Sequence, residues 1–163
     1  KTERSSNEDQ LPKSFFEQQV EIAAQYLLGR TIVRNLSGNR QIRATIKEVA
    51  AWEGQEDSSP EFLSYAPGTI GVYKAHGQWI LGVSAKHNGR PACVTIRALE
   101  SKTGIIQGPG KVTKHLSVDD SFDGNPIENP RLWICGEPVS EDRMYQRKKD
   151  NVPGNCKGYF YFK

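Results

Sequence analysis

The chain has 163 residues, of which 36% are hydrophobic and 25% are charged, and this length fits one compact domain with a sizeable core. Lysine and arginine number 22 against 19 aspartates and glutamates, so the formal net charge of +3 allows a polyanionic partner without proving one. The sequence lacks both a run of about 18 apolar residues and an apolar N-terminal signal, and we therefore expect no membrane partner.

The three cysteines, Cys93, Cys135 and Cys156, are widely separated and form no C-x-x-C pair. This pattern predicts neither a disulfide framework nor a thiolate zinc site, and it favours a reducing, intracellular compartment. The three histidines also lack the spacing of metal ligands, so we expect no metal ion and no cofactor.

Residues 1–10 are polar and without periodicity, and we expect them to form a disordered tail ahead of a domain over residues 11–163. Ser14 and Glu17 have the spacing of a capping box, which predicts that a helix begins at Ser14. Gly29 stands where a left-handed C-cap would end this helix. The helical spacing of apolar residues predicts a buried face made of Phe16, Val20, Ala23, Ala24, Leu27 and Leu28.

Residues 31–34 and 41–51 predict a β-hairpin around the turn-rich segment 35–39. Because side chains alternate along a strand, Glu48 and Ala50 are expected to lie on the same face. The other members of that face are expected to be Ile42, Ala44 and Ile46.

Segments rich in β-branched and aromatic residues predict further strands over residues 69–73, 79–85, 92–99 and 158–162. The first two meet near His76 and Gly77, as in a β-hairpin, so an antiparallel meander is expected. The flat side chain of His76 could project from this hairpin, although a histidine at such a position is more often simply a solvated loop residue.

Charge is unevenly distributed along the sequence. Residues 48–61 hold five acidic residues and no basic one, and this stretch should repel a phosphate backbone. Between Lys86 and His115 lie six basic residues and one acid, Glu100. A second basic cluster consists of Arg143, Arg147, Lys148 and Lys149.

The segment Gly108-Pro-Gly-Lys111 opens a short helix that we expect to end at Leu116. Its spacing does not fit a Walker loop, which needs four residues between its glycines and Ser or Thr after the lysine. Backbone N–H groups at the start of a helix, beside Lys111 and Lys114, can nevertheless hold a phosphate, and a plain turn is the open alternative.

Trp52, Tyr73 and Trp79 lie within strands or at strand ends, where aromatic side chains usually pack in a core. Their functional alternative is a slot that sandwiches an unstacked nucleobase. Such a slot also needs an adjacent wedge and cationic groups for the flanking phosphates, and the sequence supplies both.

The order and separation of several segments resemble the alkyladenine (3-methyladenine) DNA glycosylase family, over nearly the whole chain from Leu11. The segments are LPKSFFEQ with a helix ending in LLGR, then IKEVAAWEGQED, PGTIGVYKAHGQWILGV, ACVTIRALE and GPGKVTKHL, of which the last two are the most specific. The resemblance implies an α+β fold: a single mixed domain with a curved antiparallel β-sheet and a protruding hairpin that enters the DNA minor groove. It also implies a monomeric enzyme that flips a damaged purine out of the duplex and hydrolyses its N-glycosidic bond without a metal.

The resemblance further implies roles for individual residues. His76 would take the place of the extruded base, while Tyr73 and Trp52 would stack on that base. Arg97 would lie beside the reacting nucleotide. The phosphate-binding turn would consist of Gly108, Gly110 and Lys111, with Lys114 next to it.

The sequence also departs from the family pattern. Where the family has Glu-x-Glu and its second carboxylate activates the water, this sequence has Glu48 and Ala50. A positioned general base contributes on the order of a hundred to ten-thousandfold, so its loss bears directly on activity. Glu48 is a weak substitute, because two residues along a strand span about 6.6 Å. The pocket asparagine of the family falls on Val83, and its pocket histidine has no counterpart between Asp57 and Pro67.

Three hypotheses follow from this sequence. The first is a DNA glycosylase acting on damaged or alkylated purines in duplex DNA. The second is a catalytically inactive relative that binds nucleic acid, with RNA still open as a partner, or serves as a structural module. The third is a protein-binding domain that retained only the scaffold.

Overall fold

The structure, a computed structural model, describes residues 9–54, 65–148 and 156–163. Within them nine strands form one antiparallel sheet with two α-helices, which confirms the expected α+β fold with a curved antiparallel sheet. The strands are β1 (Thr31–Asn35), β2 (Gln41–Glu53), β3 (Ile70–Ala75), β4 (Gln78–His87), β5 (Arg90–Ser101), β6 (Gly104–Gln107), β7 (Leu132–Cys135), β8 (Met144–Gln146) and β9 (Cys156–Phe162), and the helices are α1 (Val20–Gln25) and α2 (Pro109–Leu116). Residues 1–8 of the predicted tail lie outside the described residues.

The sheet is organised around the long strands β2 and β5. Its order is β3-β4-β5-β2-β1-β7, with β6 paired to β5, β9 paired to β2 and β8 paired to β9. Along one edge of β2, the first half pairs with β1 and the second half pairs with β9. The sheet therefore branches at the middle of β2, and a branched, twisted sheet of this kind curls rather than staying flat.

One face of the sheet, which we call the core face, carries the main hydrophobic core. The two α-helices and a 3-10 helix, Lys13–Phe16, contribute to this core, and burying a large apolar side chain contributes about 1.5–3 kcal/mol. The largest fully buried side chains include Phe16, Leu27, Leu28, Ile46, Ile70, Leu81, Ile96, Leu99, Leu116 and Phe122. The opposite face, which we call the front face, holds a small cluster around Cys93 together with polar and charged side chains.

The alternation of side chains along β2 changes phase at Glu48. Ala44 and Ile46 belong to the main core before this point, and Val49 and Ala51 belong to it afterwards. The pairing of β2 with β5 is irregular on both sides of Glu48. Glu48 and Ala50 therefore share a face, as predicted, but the expectation that Ala44 and Ile46 lie on it with them is wrong, because the irregularity reverses the faces.

The prediction of one continuous helix beginning at Ser14 is also wrong. The segment Lys13–Phe16 is a 3-10 helix whose first turn no side chain caps, so the expected capping box does not form. The side-chain amide of Gln18 donates a hydrogen bond of 2.8 Å to the carbonyl of Phe15. A continuous α-helix would use that carbonyl for the backbone N–H four residues later, and the α-helix instead starts afresh at Val20.

No helix within the described residues is long and apolar enough to cross a membrane. All three cysteines are free and buried, and the sequence pattern predicted no disulfide framework.

Gly29 is expected to tolerate no side chain. The prediction that Gly29 caps the helix is wrong, because α1 ends at Gln25 and the N–H of Gly29 donates to the carbonyl of Ile46. Its backbone nevertheless has φ +90°, and an added Cβ would lie 2.5 Å from Cγ1 and 2.6 Å from the backbone nitrogen of Val139. Gly29→Ala should therefore lower the free energy of unfolding, measured by urea denaturation, by more than the roughly 1 kcal/mol of left-handed strain alone. The control is Gly38→Ala, because Gly38 has φ +73° but nothing within 4 Å of the added Cβ. Equal losses in the two variants would contradict the steric explanation.

Candidate nucleic-acid interface

The strands β3 and β4 form a hairpin with His76 at its tip. Ala75 pairs with Gln78, which leaves His76 and Gly77 as a two-residue turn. Both turn residues have positive φ, +52° and +77°, as a type I′ turn requires. His76 is exposed, so the structure presents its side chain to solvent at the end of a protruding hairpin.

The segment 108–111 forms a tight turn into α2. Gly108 has φ +116° and donates its backbone N–H to the carbonyl of Arg97 over 2.8 Å. Pro109 occupies the first turn of α2, where its missing N–H costs no helical hydrogen bond. Lys111 and Lys114 are exposed on this helix, so two cations flank the free N–H groups at its start.

The hairpin and the turn are joined by direct contacts. The hydroxyl of Thr113 donates a hydrogen bond of 3.0 Å to the carbonyl of Trp79 in β4. The side chain of Gln78 lies so close to Gly110 that a Cβ at this glycine would overlap it. These contacts fix the position of His76 relative to the start of α2. A surface that holds backbone phosphates while one side chain enters the base stack needs such a fixed spacing.

On the front face, Trp52 and Tyr73 pack around the buried Cys93. Trp52 pairs in register with Cys93, and its indole N–H donates a 3.1 Å hydrogen bond to the hydroxyl of Thr95. Burial, with smaller contributions from Cys93 and Tyr159, raises the pKa of Tyr73 to about 12, so its phenol stays protonated at neutral pH. We call this part of the front face, around the two half-buried rings, the front cleft.

Val83 does not join this cleft. It pairs with Ile70 on β3 and Val94 on β5, and all three side chains belong to the main core. Because successive residues of a strand point to opposite faces, Gly82, and not Val83, lies on the front face opposite Thr95. The position that the family pattern gives to a pocket asparagine is thus a core position here.

Ala50 lies in β2 two residues before Trp52, on the same face, and is fully buried. It pairs with Thr95 on β5 and with Tyr159 on β9. The guanidinium carbon of Arg97 lies 3.9 Å from the centre of the Tyr159 ring. The position to which the family pattern gives the general base therefore carries a methyl group, and a cation lies over the neighbouring ring.

Glu48 is held by a network of hydrogen bonds and charges. Its side chain is only 3% exposed, and one carboxylate oxygen accepts a 2.8 Å hydrogen bond from Nε of Arg147 while the other accepts one of 2.9 Å from Gln107. Nε of Arg97 lies 3.7 Å from Glu48, too far for a hydrogen bond but close enough for an ion pair, and it has no hydrogen-bond partner. Both oxygens of Glu48 thus already accept hydrogen bonds from other side chains of the protein.

The pKa of Glu48 reflects this network. Burial by itself would raise the pKa, but the hydrogen bonds from Arg147 and Gln107, together with the charges of Arg147 and Arg97, outweigh it and lower the pKa. The same hydrogen bond raises the pKa of Arg147. Glu48 is therefore a weaker base than an ordinary carboxylate, the opposite of what a general base near neutral pH requires.

Sequence reasoning did not find Arg147 or Gln107 as partners of Glu48. They lie 99 and 59 residues away along the chain, and no local pattern reports such a contact. The only signals were that Arg147 belongs to a basic cluster and that Gln107 immediately precedes the glycine-rich turn.

The lowered pKa of Glu48 predicts a specific acid sensitivity. The ionised carboxylate stabilises the fold at pH values above its ordinary pKa of 4.5, and this contribution is lost as the pH falls below 4.5 through the lowered folded-state pKa. Between about pH 5 and about pH 3, the melting temperature of the unmodified protein should fall more steeply than that of Glu48→Gln. Glu100→Gln, which alters an exposed carboxylate, is the control and should keep the steep fall. Parallel curves for the unmodified protein and Glu48→Gln would refute the assignment.

Comparison with known proteins agrees with this arrangement. Residues 14–157 match the family model described as methylpurine-DNA glycosylase. A protein of Aeropyrum pernix, provisionally named a 3-methyladenine DNA glycosylase, is 30% identical over 153 residues, which cover 82% of this chain and 78% of that protein. The DNA-3-methyladenine glycosylase of Mus musculus is 28% identical over 175 residues, which cover 83% of this chain but only 52% of the mouse protein. The chain therefore belongs to the methylpurine-DNA glycosylase family.

Proposed function

We propose that the protein is a base-excision repair DNA glycosylase that binds duplex DNA at a damaged purine, flips that purine into the front cleft and hydrolyses its N-glycosidic bond. The observation that carries the proposal is the exposed His76, held by a type I′ turn beside the start of α2. The names of the relatives, which describe 3-methyladenine DNA glycosylases, support the same activity. We further propose that the protein acts inside the cell as a monomer.

Each part of the surface has a physical role in this proposal. His76 enters the base stack and fills the space that the flipped nucleotide leaves, which offsets part of the unstacking energy. The N–H groups at the start of α2, with Lys111 and Lys114, hold backbone phosphates. The flipped base then stacks between the half-buried rings of Trp52 and Tyr73.

The chemical step lacks the carboxylate that would normally activate water. Ala50 supplies no proton acceptor, and the carboxylate of Glu48 is engaged by Arg147 and Gln107. We therefore expect hydrolysis to be slower by a factor on the order of a hundred to ten thousand than with a carboxylate at this position.

The same observation favours a second candidate function, a family member that binds damaged DNA without cutting the glycosidic bond. Such a protein would use the same wedge, phosphate contacts and aromatic cleft. The two functions differ only in whether the N-glycosidic bond breaks.

A single-turnover assay separates the two functions. Excess protein is incubated with duplexes that each carry one hypoxanthine, ethenoadenine or 7-methylguanine, and abasic sites are detected as alkali-labile breaks. Ala50→Glu restores a carboxylate, and we expect it to raise the rate of base release by on the order of a hundred to ten-thousandfold. Slow release by the unmodified protein supports the glycosylase. Damage-selective binding without release in either form supports the second function, and equal binding to damaged and undamaged duplexes overturns both.

The wedge can be tested by binding alone. His76→Ala should lower the affinity for a damaged duplex by about tenfold while it changes the affinity for undamaged duplex much less, because only the flipped state uses the wedge. The control is His87→Ala, since His87 lies at the other end of β4, away from the hairpin tip. If His76→Ala weakens binding to both duplexes equally, His76 does not act as a wedge.

A further inference from the structure

The strand β8 has one paired edge and one open edge among the described residues. It pairs with β9 alone, and the N–H of Arg147 donates to the carbonyl of Tyr159 over 2.9 Å. Because hydrogen-bonding residues alternate along an antiparallel strand, the backbone groups of Met144 and Gln146 point away from β9. The N–H of Met144 bonds to the carbonyl of Glu141. The C=O of Met144 and both backbone groups of Gln146 have no partner within the described residues.

The outer edges of β7 and β3, by contrast, are covered. On β7, the N–H of Leu11 donates to the carbonyl of Ile134 over 2.7 Å, and the side-chain amide of Asn129 bonds to both backbone groups of Leu132. On β3, residues 123–125 supply the hydrogen bonds. An uncovered strand edge is a template for one more strand. The edge of β8 is such a template.

A groove of about 480 Å³ lies between α1 and the open edge of β8. Ile22 and Tyr26 line it from α1 and its C-terminal end, the residues of β8 line it from the sheet, and Phe160 of β9 also contributes. Ile22 is 38% exposed and Tyr145 is 44% exposed, so the groove presents apolar surface to solvent. A helix beside an open strand edge is suited to strand addition, in which backbone hydrogen bonds give affinity and alternate side chains give specificity.

The groove also carries a negative charge. Among the described residues that line it, only Glu141 is charged, and its carboxylate accepts a hydrogen bond from the hydroxyl of Tyr26. Two neighbouring cations are directed elsewhere, because Arg143 donates to the carbonyl of Lys163 and Lys163 lies over the ring of Tyr145. A carboxylate beside apolar surface complements a segment that combines apolar side chains with a lysine or arginine.

We propose that this groove binds an extended segment of a partner protein, which adds to the open edge of β8 as a further strand. The segment has apolar side chains at alternate positions, facing Ile22, and a lysine or arginine that pairs with Glu141. The hairpin of His76 and the strand β8 stand at the two ends of the strand order β3-β4-β5-β2-β9-β8. The partner therefore leaves the hairpin and α2 uncovered, and its binding does not depend on glycosylase activity.

Peptide binding tests the strand addition. Heptapeptides from a displayed library are selected on the purified protein, and the affinity of an enriched synthetic peptide is measured by fluorescence anisotropy. We expect alternating apolar residues and at least one lysine or arginine. Methylation of a peptide nitrogen that donates to β8 should weaken binding by about tenfold, and methylation of the next nitrogen should weaken it much less, because an added strand bonds through alternate residues. Equal effects of the two methylations, or no enriched peptide, would overturn the proposal.

Matched variants connect the binding to the groove. Ile22→Lys should lower the peptide affinity by at least about tenfold, whereas Ile105→Lys, at a 53% exposed residue of β6 outside the groove, should not. Glu141→Gln keeps an acceptor for Tyr26 and should weaken a lysine-containing peptide about threefold. Asp142→Asn, which alters the adjacent exposed carboxylate, should leave the affinity unchanged.

Other occupants give different results. Equal losses in Ile22→Lys and Ile105→Lys would show non-specific adsorption to apolar surface and would contradict a defined groove. A dimer seen by light scattering, and dissociated by the peptide, would assign the edge of β8 to a second copy of this chain instead of a partner. Displacement of the peptide by an undamaged DNA duplex would show that the groove belongs to a nucleic-acid surface, which also overturns the proposal.

Discussion

The phase change at Glu48 in β2 is the constraint on which the rest of the front face depends. Val49 and Ala51 enter the main core, and Glu48, Ala50 and Trp52 consequently point to the other side. Pairing with β9 is regular from Glu48 to Ala51, so Tyr159 and Tyr161 join the same face opposite Ala50 and Glu48. Had the alternation of the first half of β2 continued, a carboxylate would be buried among the apolar side chains of the core, at a cost of several kcal/mol. The irregularity instead places the carboxylate where arginines from β5 and the end of β8 can reach it.

A buried carboxylate in this position is stable only because it is fully partnered. Removing a charge from water costs several kcal/mol, and that cost is recovered only with good geometry and additional hydrogen bonds. Glu48 meets the condition through Arg147 and Gln107, with Arg97 as a third, longer-range partner. The guanidinium carbons of Arg97 and Arg147 in turn lie over the rings of Tyr159 and Tyr161, at 3.9 Å and 4.9 Å from the ring centres. Ion pairs and cation–π contacts thus fix the side chains around Ala50, so loss of a carboxylate there leaves the neighbouring scaffold in place and changes mainly the charge of the cleft.

Much of the fold could be predicted from local patterns, because its determinants are local. Enrichment in β-branched and aromatic residues predicted β3, β4 and β5, and the pair His76-Gly77 has the backbone freedom that a two-residue hairpin turn demands. The start of α2 was likewise encoded in Gly108 and the proline that follows it. Prediction failed where a side-chain hydrogen bond or a pairing with a distant strand overrode the local sequence pattern. The amide of Gln18 takes a carbonyl from the expected N-terminal helix, the phase change in β2 depends on its partner β5, and Val83 faces the core because of its register with neighbouring strands. The network around Glu48 joins residues far apart in sequence, so it was visible only once the sheet was assembled.

The proposed contacts with DNA and the proposed site of the flipped base depend largely on different parts of the structure. The hairpin tip and the start of α2 are tied together through Gln78, Gly110, Thr113 and Trp79, and none of these contacts involves the front cleft. The cleft is built from the middle of β2, β5 and β9, whose side chains can change while the hairpin and α2 keep their geometry. The two surfaces meet at Tyr73, which lies on β3 of the hairpin, and at Arg97, whose carbonyl accepts the N–H of Gly108 while its side chain lies on Tyr159. Ala50 belongs to neither the hairpin nor α2, so a methyl group at this position is compatible with an intact surface for the proposed DNA contacts.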